Sequence, residues 1–231
     1  MKLAVFGATG RTVLLQCCSA GVEVVQQALA LGHDVTALVR NPDKMKDLVP
    51  DKDFKIEKID FSSPESIEPH LQDKDAVLSC LGSKLAPWST VTLFTDSMKV
   101  IVSAMRKNSI RRLVFVSSWY LTDDPKDPPP FLTRWVFKPL FTGRIFQNLA
   151  ETEQYLQGCD DIDFTAVRAP RLLPGPVTDM EFRTEEGEQV HDREGMRPGI
   201  CRADVARFML STISSEEWVK KCVAVIAVPK K

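Results

Sequence analysis

A doubly wound α/β fold is the architecture this sequence predicts, on three observations. Short β-rich runs alternate with longer helical patterns along all 231 residues. The runs read as continuous Val, Leu, Ile and Phe rather than as alternating apolar and polar residues, the mark of strands covered by helices on both faces of a parallel sheet. A glycine-rich turn follows the first run and leads into a helical pattern.

In chain order the strands are expected at "KLAVFGA", "DVTALVR", "FKIEKID", "AVLSCLG", "RLVFVSS", "DFTAVRAP" and "CVAVIAVP". Helices are expected between them, at roughly residues 12–31, 63–71, 89–108, 131–157 and 202–213. The one shift in composition is "TDDPKDPPPF", whose prolines forbid regular hydrogen bonding and which follows the end of a strand. Ligands of open α/β sheets sit at that edge, so this stretch is a candidate lid. With 44% hydrophobic residues the chain suits one core, and a single domain over residues 1–231 is expected, its substrate cleft formed by loops at 83–90, 119–131 and 171–200.

A formal net charge of −1 and a pI near 6.3 supply no field to recruit nucleic acid or an anionic membrane, so a small-molecule partner is expected. The first residues run directly into a strand without a charged and apolar leader, and a cytoplasmic protein, acting as a monomer, is expected. Six cysteines lack any CxxC pair or His/Cys spacing, which favours buried thiols over disulfides or a metal.

The turn "GATGRT" comprises Gly7, Ala8, Thr9, Gly10, Arg11 and Thr12. Its first glycine permits a sharp bend and its second lets backbone amides approach a pyrophosphate, at the amino end of a helix that attracts phosphate. A third glycine normally lets the helix pack close to the sheet, but Val13 stands there and the next glycine is Gly21. The end of the second strand is the second test, because an acidic residue there bonds a ribose diol and a basic one accepts a 2'-phosphate. Arg40, followed by Lys44, points to NADPH over NADH. Asp60 and Phe61 close the third strand at the adenine edge, and Leu81 with Gly82 close the fourth, where backbone must pass the cofactor. Together these features describe a Rossmann-type dinucleotide fold.

These stretches, with "IVSAMRKNSIRRLVFVSS", "FTAVRAPRL" and "RADVARFML", resemble the atypical short-chain dehydrogenase/reductase family, and within it the flavin reductase and biliverdin reductase branch. The likeness covers nearly the whole length. In such relatives the turn reads GATGxTG, so residues 13–20, "VLLQCCSA", resemble an eight-residue insertion. As helix it would add about two turns with a rotation of roughly 80°. Gly21 is then expected to lie far from the sheet crossing, at a cost to cofactor affinity.

Ordinary members use a tyrosine with a lysine four positions later as proton donor. Here the fourth residues after Tyr120 and Tyr155 are Asp124 and Cys159. A flavin or tetrapyrrole acceptor relaxes the need, since hydride can pass to a delocalised electrophile while solvent supplies the proton. The family's active-site serine falls on Ser118, with Ser117 beside it among the residues expected at the cofactor. Where relatives of this branch carry a histidine this chain has Arg171, able to hold an acidic substrate. His33, His70 and His191 read as solvated. Trp119 is a stacking surface or a packing residue, and residues 131–141 are a pocket wall or a helix on the core. The resemblance implies an NADPH-dependent reductase of a flat acceptor such as flavin or biliverdin. The missing tyrosine motif and Arg171 keep open a sensor or scaffold that binds NADP(H) without turnover.

Overall fold

The computed structural model describes residues 1–9, 20–50, 53–82, 91–122, 128, 131, 134–135 and 143–230. The chain alternates β1 (Lys2–Phe6), α1 (Ala20–Ala30), β2 (Asp34–Val39), α2 (Pro42–Leu48) and β3 (Lys55–Lys58). It continues with β4 (Ala76–Ser79), α3 (Leu93–Lys107), β5 (Arg112–Ser118), α4 (Gly143–Gln157) and β6 (Asp163–Ala169). The last part holds β7 (Leu172–Leu173), β8 (Glu181–Glu186), β9 (Ile200–Cys201), α5 (Arg202–Thr212) and β10 (Lys221–Val228). Eight strands form one sheet in the order β3-β2-β1-β4-β5-β6-β10-β8, parallel except for β8, while β7 and β9 pair in a small second sheet.

Burial explains the apolar runs. Along β1, Leu3 and Val5 face the α1 and α5 side, whereas Ala4 and Phe6 face the α3 and α4 side, and all four are wholly buried. The inner strands therefore have no solvent face to mark with polar residues. Among the described residues, no helix is long and apolar enough to cross a membrane.

All seven expected strands are present. The expected helix at residues 63–71 is instead two 3-10 turns, Pro64–Ser66 and Glu68–Leu71. Pro69 lacks the amide an α-helix would use and its ring would clash with the preceding turn. Of the expected helix at 131–157 the described continuous part is α4. Helix α1 is described from Ala20, and residues 12–19 of the expected helix lie outside the described residues. Strand β8 escaped the sequence reading because "EFRTEE" is polar. It is an edge strand, half-buried, held by six antiparallel pairs to β10.

Strand order reverses at β1, which lies between β2 and β4, and the crevice at their carboxyl ends is the ligand position of such sheets.

Candidate functional site at the carboxyl edge of the sheet

The site begins at the turn after β1. Gly7 adopts φ +79°, and a Cβ on it would stand 2.5 Å from the carbonyl oxygen of Cys80 at the end of β4. Only glycine satisfies both the left-handed backbone and that contact. The same turn is approached from the helix side by Gly21, whose imagined Cβ would lie 2.7 Å from the Ala8 Cα and 2.9 Å from the Gly7 carbonyl oxygen. This corrects the expectation that the insertion removes Gly21 from the sheet crossing. Gly21 is the third glycine in space, although it is eight residues late in sequence. Gly10, Arg11 and Thr12, expected in the phosphate turn, lie outside the described residues, as do residues 13–19.

Two cations adjoin the turn. Asn41 caps α2 by accepting from the Lys44 amide at 3.3 Å, and Pro42 starts the helix, so the chain turns sharply just after Arg40. That turn sends the Lys44 side chain back to β1, where Nζ donates to the Thr9 carbonyl oxygen. Arg40 is exposed, and no ion pair holds its guanidinium among the described residues. Asp60 and Phe61 follow β3. The Asp60 carboxylate is engaged in its own turn, accepting from the Ser62 amide at 3.2 Å and the Ser62 hydroxyl at 2.8 Å. Phe61 is half-buried with its ring 6.0 Å from that of Phe6. Leu81 and Gly82 leave β4 half-buried at the same edge.

Adjacent serines end β5 and point to opposite faces of the sheet. Ser118 is half-buried. Ser117 is 2% exposed and donates to Glu153 Oε1 at 2.6 Å, on the α4 side. Its hydroxyl belongs to the interior, which corrects its assignment to the cofactor. Trp119 is buried as well: its indole donates to the Arg168 carbonyl oxygen at 3.0 Å, and the ring packs with Val190 and Ile226. It is a packing residue. Arg171 has an exposed side chain on a backbone held by Ile200, whose amide donates to the Arg171 carbonyl oxygen at 3.0 Å. Phe131 and Trp135 are 74% and 63% exposed with ring centroids 6.5 Å apart, so these two rings do not pack on the core.

Each of the three histidines has a partner of its own. His33 meets the amino terminus at 3.3 Å, and burial, then the terminal charge, lowers its pKa. His70 lies 3.7 Å from Glu57, and His191 lies 3.0 Å from Glu185. Among the described residues, Cys80, Cys159, Cys201 and Cys222 form no disulfide, and burial pushes the Cys222 thiol up to about 12. Among the described residues, no group of three or more His, Cys, Asp or Glu side chains is gathered to hold a metal ion.

The sequence reading missed a buried charge cluster behind Ser117. Arg168 Nη2 lies 2.6 Å from Glu153 Oε2 and Nη1 lies 3.1 Å from Glu188 Oε1. Burial disfavours the Arg168 charge, but the hydrogen bond and charge of Glu153, then the charge of Glu188, outweigh it and raise its pKa. The available signal was an arginine inside the apolar run "FTAVRA", which demands a buried counter-charge.

A sequence model described as NAD(P)H-binding matches residues 7–216. ChuY, an anaerobillin reductase of Escherichia coli O157:H7, is 17% identical, with a TM-score of 0.75 over 100% of this chain and 99% of that one. SP1627 of Streptococcus pneumoniae, provisionally assigned as an NADH-flavin reductase, is 22% identical with a TM-score of 0.68, over 98% and 99% of the two chains. The oxidoreductase ylbE of Lactococcus lactis is 17% identical with a TM-score of 0.74, over 100% and 92%. The dinucleotide turn such proteins need fits the residues present here, since Gly7 and Gly21 leave the backbone bare at the helix–sheet crossing and Lys44 brings a cation to it. On that match, the chain belongs to the NAD(P)H-binding family.

Proposed function

We propose that this protein is an NADPH-dependent reductase that transfers hydride to a flat, conjugated acceptor such as a flavin or biliverdin. The observation that carries the cofactor half is the pair of cations beside the turn. Lys44 is drawn to the Thr9 carbonyl, and Arg40 stands exposed at the end of β2. In this reading the backbone of Gly7, Ala8 and Thr9, continuing through Gly10, Arg11 and Thr12, holds the pyrophosphate. Arg40 and Lys44 take the 2'-phosphate, for which a planar guanidinium is suited. Asp60 and Phe61 border the adenine, and Leu81 and Gly82 form the floor.

Bound NADPH supplies the hydride. The protein's part is to hold the acceptor beside it and to place a hydrogen-bonding group at the reacting end, the role proposed for Ser118. Arg171 faces solvent, where its charge suits an acidic acceptor such as the carboxylates of a bilin or the phosphate of FMN. Neither tyrosine has a lysine four residues on, which supports an acceptor whose proton comes from solvent. The likeness in fold to an anaerobillin reductase and to a provisional NADH-flavin reductase supports the same class.

The test is to follow NADPH absorbance with FMN and with biliverdin as acceptors, after comparing thermal shifts with NADPH, NADH and neither. A larger shift with NADPH and acceptor-dependent loss of absorbance are expected. Tight NADPH binding with no turnover on flavins, bilins or quinones would replace this reading with that of a non-catalytic sensor.

A further inference from the structure

The buried cluster around Arg168 has an uneven charge count. Two carboxylates, Glu153 and Glu188, face one guanidinium, and the three side chains are 4%, 10% and 10% exposed in that order, with Arg168 last. Hydrogen bonds meet the surplus negative charge. Glu153 accepts from the Ser117 hydroxyl, and Glu188 accepts from the Leu121 amide at 2.9 Å, the Thr122 amide at 3.4 Å and the Thr122 hydroxyl at 2.9 Å. The stretch between these two attachments is the exit of β5, which carries Ser118. Its next residue is tied down twice, by the Trp119 amide to the Ala169 carbonyl oxygen at 3.2 Å and by the indole to that of Arg168 at 3.0 Å. Tyr120 then takes φ +60°, a left-handed backbone that a residue with a Cβ holds only when its surroundings impose it.

We propose that Glu188 is a positioning residue for the acceptor end of the site: fixed by Arg168, it grips Leu121 and Thr122 and so holds the left-handed turn that sets the place of Ser118. The role given to Ser118 rests on the reductase reading above. The grip requires a carboxylate, because the four partners of Glu188 among the described residues are all donors: two amides, a hydroxyl and a guanidinium. A glutamine of the same shape must turn its NH2 group toward some of them. The residues proposed for the phosphates of the cofactor, Gly7 and Thr9 just after β1, Arg40 just after β2 and Lys44 on α2, follow strands two or more places from β5 in the sheet. Losing Glu188 therefore acts on the acceptor without acting on NADPH.

The experiment compares E188Q and the milder T122V with the unmodified chain. It measures the KM for FMN, the NADPH dissociation constant, and the hydrogen-exchange rates of the Leu121 and Thr122 amides. In E188Q the KM is expected to rise roughly five-fold or more, the loss of about one net hydrogen bond. NADPH affinity should be unchanged and both amides should exchange faster. T122V is expected to shift the KM in the same direction by less, and it keeps the test open if E188Q does not fold. An unchanged KM with a lower Tm would reduce Glu188 to a structural residue, and an equal loss of NADPH affinity would also overturn the proposal. If the unmodified chain reduces no FMN, the reductase reading fails and exchange decides on its own: unchanged protection of the two amides in E188Q overturns the grip.

Discussion

Gly21 and Ala8 are in backbone contact across the helix–sheet crossing: a Cβ on Gly21 would lie 2.7 Å from the Ala8 Cα. No real Cβ sits that close to backbone, so any side chain at residue 21 must push α1 away from the turn. Gly21→Ala is expected to destabilise the chain by about 1–3 kcal/mol, the usual cost of overpacking a fitted interface. The displaced atoms belong to the turn itself, so NADPH affinity should fall with stability. Melting and NADPH titration of the variant check this; a stable Gly21→Ala chain with intact affinity would show that the contact is slack.

Arg40 and Lys44 divide the proposed 2'-phosphate site between an exposed guanidinium and an ammonium already bound to Thr9. Arg40→Ala is expected to weaken NADPH by about 1.5–3 kcal/mol, the range for a hydrogen bond to a charged group, and to leave NADH nearly untouched. Lys44→Ala should weaken both, since its ammonium touches the turn that both dinucleotides share. Equal losses of the two cofactors in Arg40→Ala would make Arg40 structural.

Acid sensitivity has an identifiable source far from the site. Hydrogen bonds from Arg106, at 2.6 and 2.8 Å, hold the Asp161 carboxyl down to about 2 from its ordinary 3.8, and those from Arg111 lower Asp163 in the same way. Both carboxylates bind protons less readily in the folded chain than in the unfolded one. Their stabilisation is therefore complete above the ordinary carboxylate range and lost as pH falls from about 4 toward 2. Both pairs are substantially exposed, so the effect is modest and screened by salt. Melting temperature should decline over that window, and Arg106→Gln should make the decline shallower. An identical acid limb in the variant would assign the sensitivity to other carboxylates.

The fold was legible in the sequence where burial is extreme. Strands with both faces covered, such as "LAVF" and "VAVIAV", leave an apolar run that no loop produces, whereas the short helix α2, opened by Asn41 and Pro42, was not among the expected helices. What was not legible depends on space rather than on spacing. Gly21 stands at the crossing despite its late place in the chain, a fact that counting from Gly7 argues against. Strand β8 looks like a charged loop because an edge strand need cover only one side. Glu153, Arg168 and Glu188 are separated by 15 and 20 residues, and only folding shows that the arginine in β6 has two partners.

The two serines at the end of β5 allow a division of roles to be read from neighbouring residues. Ser117 faces α4 and bonds Glu153 in the interior, whereas Ser118, one residue on and on the opposite face, is half-buried at the carboxyl edge. Ser117→Ala removes one donor from a carboxylate that keeps its bonds to Arg168 at 2.6 and 3.2 Å. A stability loss of about 1–2 kcal/mol is expected, with little change in turnover per folded molecule. Among the described residues, Ser118→Ala removes no side-chain bond to the core, so its Tm should stay close to that of the unmodified chain. If Ser118 supplies the proposed hydrogen bond at the reacting end, turnover with FMN should fall roughly five-fold or more while NADPH binding persists. Measuring Tm and steady-state rates on both variants separates the roles. A Ser118→Ala chain that reduces acceptor at the unmodified rate, beside a Ser117→Ala chain that loses activity without losing stability, would exchange the assignments and move the reacting edge to the α4 face.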